Sequence, residues 1–456
     1  MTARISRLIP ILAAAVLGCD NNATGPAGSA GLLGPDPAGV CLDESGNPLP
    51  LAPDSDRVDL AQPAFSNPTN VTNPLFPAST QFRVLQLGSS DGLPLRAEVT
   101  LLPETKTVEL DGKAVEVLVS QYIAFLDGDI LEAALDFYAQ ADDGAAWYFG
   151  EDVFNYEDGL VADNDGTWLA GRDGPPGMIM PADPQVGDVW RPENICGLVF
   201  EQVTARSAGL TVDGPRGPVA GALLVEELHM DGLFEEKTYA PGYGEFAAGS
   251  GSDGETVAIA IPVDALPGLP PKELEIISGG AADIFDAAQA EEWDAVLASV
   301  TEMADAWTTF KEGDAPPLLE AQMDSALARL AGAVEGRESA EVRQAAIYAA
   351  QAGLDLQLRY RTAAETDLDL LDLWARQLVV DAAAGDRGGV LGAAAVLKWI
   401  RDRVARDVSI AELSNIDASL GRLRAAVTAA DFGGVIGAAG NFRSTVARTP
   451  RTGRRR

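Results

Sequence analysis

This chain of 456 residues is short of histidine, which occurs once, of cysteine, which occurs three times, and of positive charge, with 33 lysines and arginines against 68 aspartates and glutamates. A single histidine, His229, excludes the Glu-x-x-His pairs of di-iron bundles and the several His or Cys ligands of common zinc sites, so no metal site of those kinds is expected. Any Ser-His-Asp triad would have to use that same residue, and a hydrolase of that kind is not expected. His229 stands in Glu226-Glu227-Leu228-His229-Met230 beside an Asp-Gly turn and reads as a surface or edge-strand side chain rather than a catalytic base. The formal net charge of −35 repels nucleic acid, so no such partner is expected, while cationic partners or divalent ions are permitted. Long apolar runs are scarce too. The run Leu8 to Leu17 is far short of the ~20 residues that span a bilayer.

What is present begins with that run. Arg4 and Arg7 precede it as a cationic n-region, and its length suits the h-region of an export signal. It closes on Val16-Leu17-Gly18-Cys19, which resembles the bacterial lipobox. The resemblance implies that residues 1–18 are a signal peptide, that Cys19 is lipidated, and that the protein is held in the cell envelope by its lipid anchor, facing the periplasm or the cell surface. Lipidation leaves Cys41 and Cys196, an even pair in a compartment where disulfides persist, and a bridge between them is expected. Residues 19–63 are rich in Gly, Pro, Asn, Ser and Asp with neither hydrophobic period, and read as a flexible tether.

From 64 to 262 short apolar or alternating runs are punctuated by Asp-Gly pairs at 91, 111, 127, 143, 158, 165, 173, 213, 231 and 253. Asp-Gly between such runs signals hairpins, because both central residues of a type I′ turn need positive φ. Val108-Glu109-Leu110 and Val115-Glu116-Val117 flank one such turn. The pattern predicts an antiparallel β-meander forming a barrel, half-barrel or sandwich. Prolines 262, 267, 270 and 271 end it, residues 263–282 read as a linker, and an all-α antiparallel bundle of about seven helices is expected over 283–448, followed by a basic tail at 449–456. The fold class is therefore α+β in two domains, with most of the acidic excess ahead of Pro271. Trp293, Val296, Val300, Met303, Trp307 and Phe310 recur at helical spacing on one face. Thr362 with Glu365, and Ser409 with Glu412, are capping-box signatures.

Candidate chemistry is sparse. Asp142-Asp143, Glu151-Asp152, Glu157-Asp158 and Asp163-Asn164-Asp165-Gly166 offer oxygens on loops but miss the EF-hand spacing, and turn chemistry explains them better than calcium. Glu365, Asp369, Asp372 and Arg376 share a helical stripe that reads as a salt-bridged face. Trp147-Tyr148-Phe149-Gly150-Glu151-Asp152, Gly166-Thr167-Trp168-Leu169-Ala170-Gly171-Arg172-Asp173-Gly174 and Tyr239-Ala240-Pro241-Gly242-Tyr243-Gly244-Glu245 form the richest segments. Together they resemble a group of uncharacterised exported bacterial proteins, and the resemblance implies an exported β-domain with no activity attached. The aromatics of these segments are expected to pack a core, with Met178 and Met180 filling it or lining an apolar cavity mouth.

These features point to a lipid-anchored envelope protein whose β-domain is a non-catalytic binding or interaction module for a protein or an apolar small molecule. No catalytic or cofactor-binding residues are assigned. The alternatives are a glycan hydrolase working with carboxylates alone and a calcium-stabilised structural protein.

Overall fold

A computed structural model describes residues 40–43, 45–250 and 253–451, so residues 1–18, expected to be a signal peptide, and Cys19 lie outside the described residues. The described chain divides into two compact units: residues up to Asn155 with Val161–Val257, and Tyr156–Leu160 with residues from Ala258 on.

The first unit is built on one antiparallel sheet. Its strands are β1 Arg83–Ser90, β2 Leu93–Leu110, β3 Lys113–Leu126, β4 Asp129–Gln140, β5 Ala146–Glu157, β6 Leu160–Asp163, β7 Trp168–Leu169, β8 Gly177–Met180, β9 Val189–Ile195, β10 Val199–Gly214, β11 Gly217–His229, β12 Phe234–Ala240, β13 Gly244–Ser250 and β14 Asp253–Ile261. The order is β6-β5-β4-β3-β2-β1-β14-β13-β12-β11-β10-β9, with β7 and β8 both paired to β5. Asp-Gly turns make four of the hairpins as expected: Asp91-Gly92, Asp111-Gly112, Asp127-Gly128 and Asp158-Gly159 all have positive φ at both residues. Val108 pairs with Val115 across the second of these. Asp213-Gly214 and Asp253-Gly254 instead lie within β10 and β14.

The sheet curls without closing. Near its ends, the Trp168 indole N–H donates to Glu193 Oε1 at 2.9 Å, carrying β7 to β9. A Cβ on Gly177 would lie 1.7 Å from the Pro192 carbonyl oxygen, so β8 approaches β9 as only glycine allows. Trp147, Phe149, Trp168, Met178, Met180 and Trp190 are buried in one core cluster, where the methionines fill the core rather than line an opening.

Residues 40–63 are not a free tether. Cys41 and Leu49 are buried against Phe200 and Leu228, and Cys41 is bonded to Cys196 with Cα atoms 5.2 Å apart. Apolar contacts and one covalent bond override the loop-like composition there.

The second unit holds eight described helices: α1 Lys272–Gln289, α2 Trp293–Lys311, α3 Pro317–Gly336, α4 Ser339–Gln357, α5 Ala363–Ala384, α6 Arg387–Val404, α7 Ile410–Thr428 and α8 Phe432–Ala447. The expected linker is thus partly helix, because Leu274, Ile277 and Ala281 bury an apolar face from Lys272 onward. Both capping boxes form. Val296, Met303, Trp307 and Phe310 are buried on α2. The tail does not lie free at its start, since Arg451 pairs with Asp369 on α5.

The helices form four successive hairpins whose second helices begin alike. The N-cap residues Glu292, Glu338, Asp386 and Asp431 open α2, α4, α6 and α8, and each is preceded by a residue of positive φ: Glu291, Arg337, Gly385 and Ala430. Four residues after each cap comes a buried valine, Val296, Val342, Val390 or Val435. Packing then pairs the hairpins: α1 contacts α2 and α4, α5 contacts α6 and α8, and α4 meets α5. No helix among the described residues is long and apolar enough to cross a membrane.

Candidate functional site

The inner face of the curled sheet encloses a cavity of about 140 Å³, and its lining is charged. Six carboxyl side chains reach it, Glu132, Asp136, Glu151, Glu201, Glu227 and Glu245, together with Lys237 and the tyrosines 122, 138, 148, 239 and 243. Strand periodicity places some of these directly. Glu132, Ala134, Asp136 and Tyr138 alternate along β4, so all four line the same face.

On β5 the period breaks. Asp136 pairs with Glu151 and Tyr138 with Tyr148, so three positions on β5 match two on β4. This β-bulge surrounds Gly150, whose φ is +116° and whose Cβ, if present, would meet the Trp168 carbonyl oxygen at 2.2 Å. One extra residue re-aims the strand, and both Tyr148 and Glu151 face inward.

The register sets like charges opposite one another: Asp136 across from Glu151, Glu193 across from Glu201, and Glu227 across from Glu235. Such pairs destabilise a sheet, and burial adds a desolvation penalty for each ionised carboxylate. Protons and two cations relieve part of this. Lys237 Nζ lies 2.7 Å from Glu227 Oε2, 3.8 Å from Glu235 and 3.9 Å from Glu245. His229 is buried, not at the surface, with Nδ1 3.6 Å from Glu201 and Nε2 3.5 Å from Glu235. Burial alone would push the imidazole pKa down, but the flanking carboxylates raise it to about 10, so it carries charge at neutral pH. Burial would raise Glu201 as well, yet His229 and Lys237 hold it at about 2. Glu227, buried and facing Glu201, rises to about 8.

Glu132, Asp136 and Glu151 have no such help, for no lysine, arginine or histidine lies within ion-pair distance of them among the described residues. Burial, then Asp136, raises Glu132 to about 8. Burial raises Asp136 to about 7, against the Tyr148 hydroxyl, which donates to it at 3.0 Å. Glu151 is pushed up by burial and by Glu193, to which it is hydrogen-bonded. Three lining residues carry a buried oxygen without a hydrogen-bond partner among the described residues: the Tyr122 hydroxyl, Glu151 Oε1 and Glu227 Oε2, the last of them 2.7 Å from the Lys237 ammonium. Glu98 gives the contrast, bound by Arg96 at 2.8 Å and Arg83 at 4.0 Å.

No known protein family's sequence profile matches this chain, and no curated protein matches it.

The loop acids of the calcium reading do not converge. Asp142 accepts from Ser66 N and Oγ, Asp143 from Ala145 N, and Asp163 from the Asn155 amide, which is turn and loop chemistry. The described cluster closest to a metal set is Glu227, His229 and Glu235, but a protonated imidazole cannot ligate and Lys237 already occupies the space between the carboxylates. Gly88-Ser89-Ser90-Asp91-Gly92 has the Gly-x-Ser-x-Gly spacing but forms the β1–β2 hairpin, a strand-turn-strand setting without the helix of a nucleophile elbow. In the second unit a cleft of about 690 Å³ is lined by Asp369, Asp372 and Arg376 of the expected α5 stripe, where Arg361 and Arg451 bind Asp369 while Arg376 and Arg443 bind Asp372; Glu365 instead caps the helix. The stripe is a salt-bridged face.

Proposed function

We propose that this chain is a lipid-anchored cell-envelope protein whose curled sheet binds a small ligand in its interior, without catalysing a reaction on it. The export signal and Cys19 support the anchoring, and the Cys41–Cys196 bond suits an oxidising compartment. The observation that carries the binding reading is the cavity of about 140 Å³, whose lining residues Tyr122, Glu151 and Glu227 each keep an oxygen without a hydrogen-bond partner among the described residues. Buried polar atoms are partnered as a rule, and a ligand supplies the missing bonds. The expected apolar ligand is replaced by a polar one, because the lining holds six carboxyls.

A carboxylate-only glycan hydrolase fits less well. Its two acids stand about 5–9 Å apart to flank the scissile bond. Glu151 with Glu193, and Glu201 with Glu227, are hydrogen-bonded to each other, so neither of these two pairs has that spacing. Non-denaturing mass spectrometry of the full chain isolated from membranes tests the reading. A retained small molecule, lost on Tyr122→Phe with Glu151→Gln, is the expected result; bare polypeptide mass in every preparation would count against it. Cys19→Ser is expected to release the protein from membranes, and unchanged partitioning would refute the anchor.

A further inference from the structure

Going beyond the binding reading and needing no ligand, we propose that the curled sheet is closed by a proton-operated seam: a proton shared between Glu151 and Glu193 ties β5 to β9, and its loss frees β9 and opens the cavity wall. Topology supplies the seam. β9 ends the strand order on one side, while β5 stands one strand from the other end with β7 and β8 paired to it. Among the described residues no strand pairing joins β9 to β5, β7 or β8, so side chains carry the closure. The Trp190 indole N–H on β9 donates to the Ile179 carbonyl on β8 at 3.2 Å, and the Trp168 indole on β7 donates to Glu193. A further link is the hydrogen bond between the Glu151 and Glu193 carboxyls, which come from the two margins of the sheet.

That link is conditional. An ionised carboxylate only accepts hydrogen bonds, so two carboxyls bond to each other only while a proton stays between them. No cation replaces the proton, for among the described residues no lysine, arginine or histidine lies within ion-pair distance of either carboxyl. The titratable groups facing the pair are Asp136 and Glu132 from β4, the Tyr148 hydroxyl from β5, Glu201 from β10 and Glu227 from β11. Lys237 and His229 serve Glu227, Glu201 and Glu235 instead, and Lys106 pairs with Asp152. Burial first, and then Glu193, holds the Glu151 carboxyl well above the usual range; burial and Glu201 do the same to Glu193, against the Trp168 indole. A pKa raised by folding contributes stability at low pH that is lost as pH rises through it, so the seam holds at low pH and weakens as the solution turns alkaline. Glu151 and Ile179 also line the cavity, so the strands that part belong to its wall.

The test is hydrogen exchange of the full chain read by mass spectrometry at pH 6 and pH 9, with each rate divided by the intrinsic rate at that pH. Protection of residues 168–195 is expected to fall at least tenfold relative to β3, Lys113–Leu126, in the same unit. Glu193→Gln can donate an amide N–H to Glu151 and accept from Trp168 without titrating, and is expected to keep that fall below about threefold. Glu151→Gln is the mirror change, expected to act alike, and serves if the first variant does not fold. Should neither fold, the comparison of seam with β3 in the parent decides. Unchanged protection in the parent, an equal fall at β3, or a fall in the glutamine variants as large as in the parent would overturn the proposal. Bare polypeptide mass in every preparation would remove the binding reading and leave the seam standing.

Discussion

Replacing Glu132 by glutamine tests the electrostatics of the cavity without a ligand. Glu132 ionises near 4.5 in an unfolded chain and near 8 in its buried position, where desolvation dominates and Asp136 adds to it. Between those values the folded state binds the extra proton, so stability contributed at low pH is lost as pH rises, and the loss is complete above about 8. The interval from 4.5 to about 8, at ~1.4 kcal/mol per pH unit, bounds the effect at about 5 kcal/mol. Glutamine has nearly the same shape and does not titrate. Urea unfolding of both proteins, followed by tryptophan fluorescence from pH 5 to pH 9, is expected to show similar midpoints at pH 5 and a more stable variant at pH 9. Asp136 continues to titrate in the variant, so its stability still falls, but less steeply. A difference between the proteins that changes by less than ~1 kcal/mol over that range would show that Glu132 ionises in contact with water, and would refute the buried-acid account.

Gly177→Ala should destabilise the first unit by at least ~3 kcal/mol, because its Cβ would stand 1.7 Å from the Pro192 carbonyl oxygen; a melt within 1 °C of the parent would contradict the close approach of β8 to β9. Cys41→Ser opens a loop with a sequence separation of 155 residues, and the chain-entropy relation gives a loss of about 5 kcal/mol, measured by denaturant unfolding under non-reducing conditions; no loss would mean that the apolar contacts of Leu49 hold the segment alone. Arg337→Gly and Ala430→Gly each relieve a left-handed residue and should raise thermal stability by ~1 kcal/mol, with Gly385→Ala lowering it similarly; the opposite signs would show that those backbone angles are unstrained.

Much of the architecture is legible in the sequence because it rests on local rules. The Asp-Gly turns at 91, 111, 127 and 158, the capping boxes at Thr362 and Ser409 and the buried stripe of α2 each need only a few neighbouring residues. The cavity was hidden because it depends on register. Glu151 and Tyr148 are three apart, a spacing that strand alternation assigns to opposite faces, and only the bulge at Gly150 brings them together. The one available signal was Gly150 inside an aromatic strand, where an isolated glycine marks a bulge or a close approach. The burial of His229 is hidden for a related reason: flanking acids suggest solvent in one dimension, whereas strand pairing puts Glu201 and Glu235 around it in an interior. The hairpin repeat is faint in the sequence because its shared positions are an acidic cap, a left-handed residue and a valine, too few letters to stand out at 22% charged composition.

That repeat limits how this chain can grow or shrink. A hairpin removed singly would strip α1 of α4 or α5 of α8, exposing an apolar face with no substitute neighbour. Removal or insertion of two hairpins at once, the span from Lys272 to Ala363, keeps each such pairing whole. Natural length variants of this chain are accordingly expected to differ by about ninety residues rather than half that, with the cut falling between α4 and α5 or its equivalent.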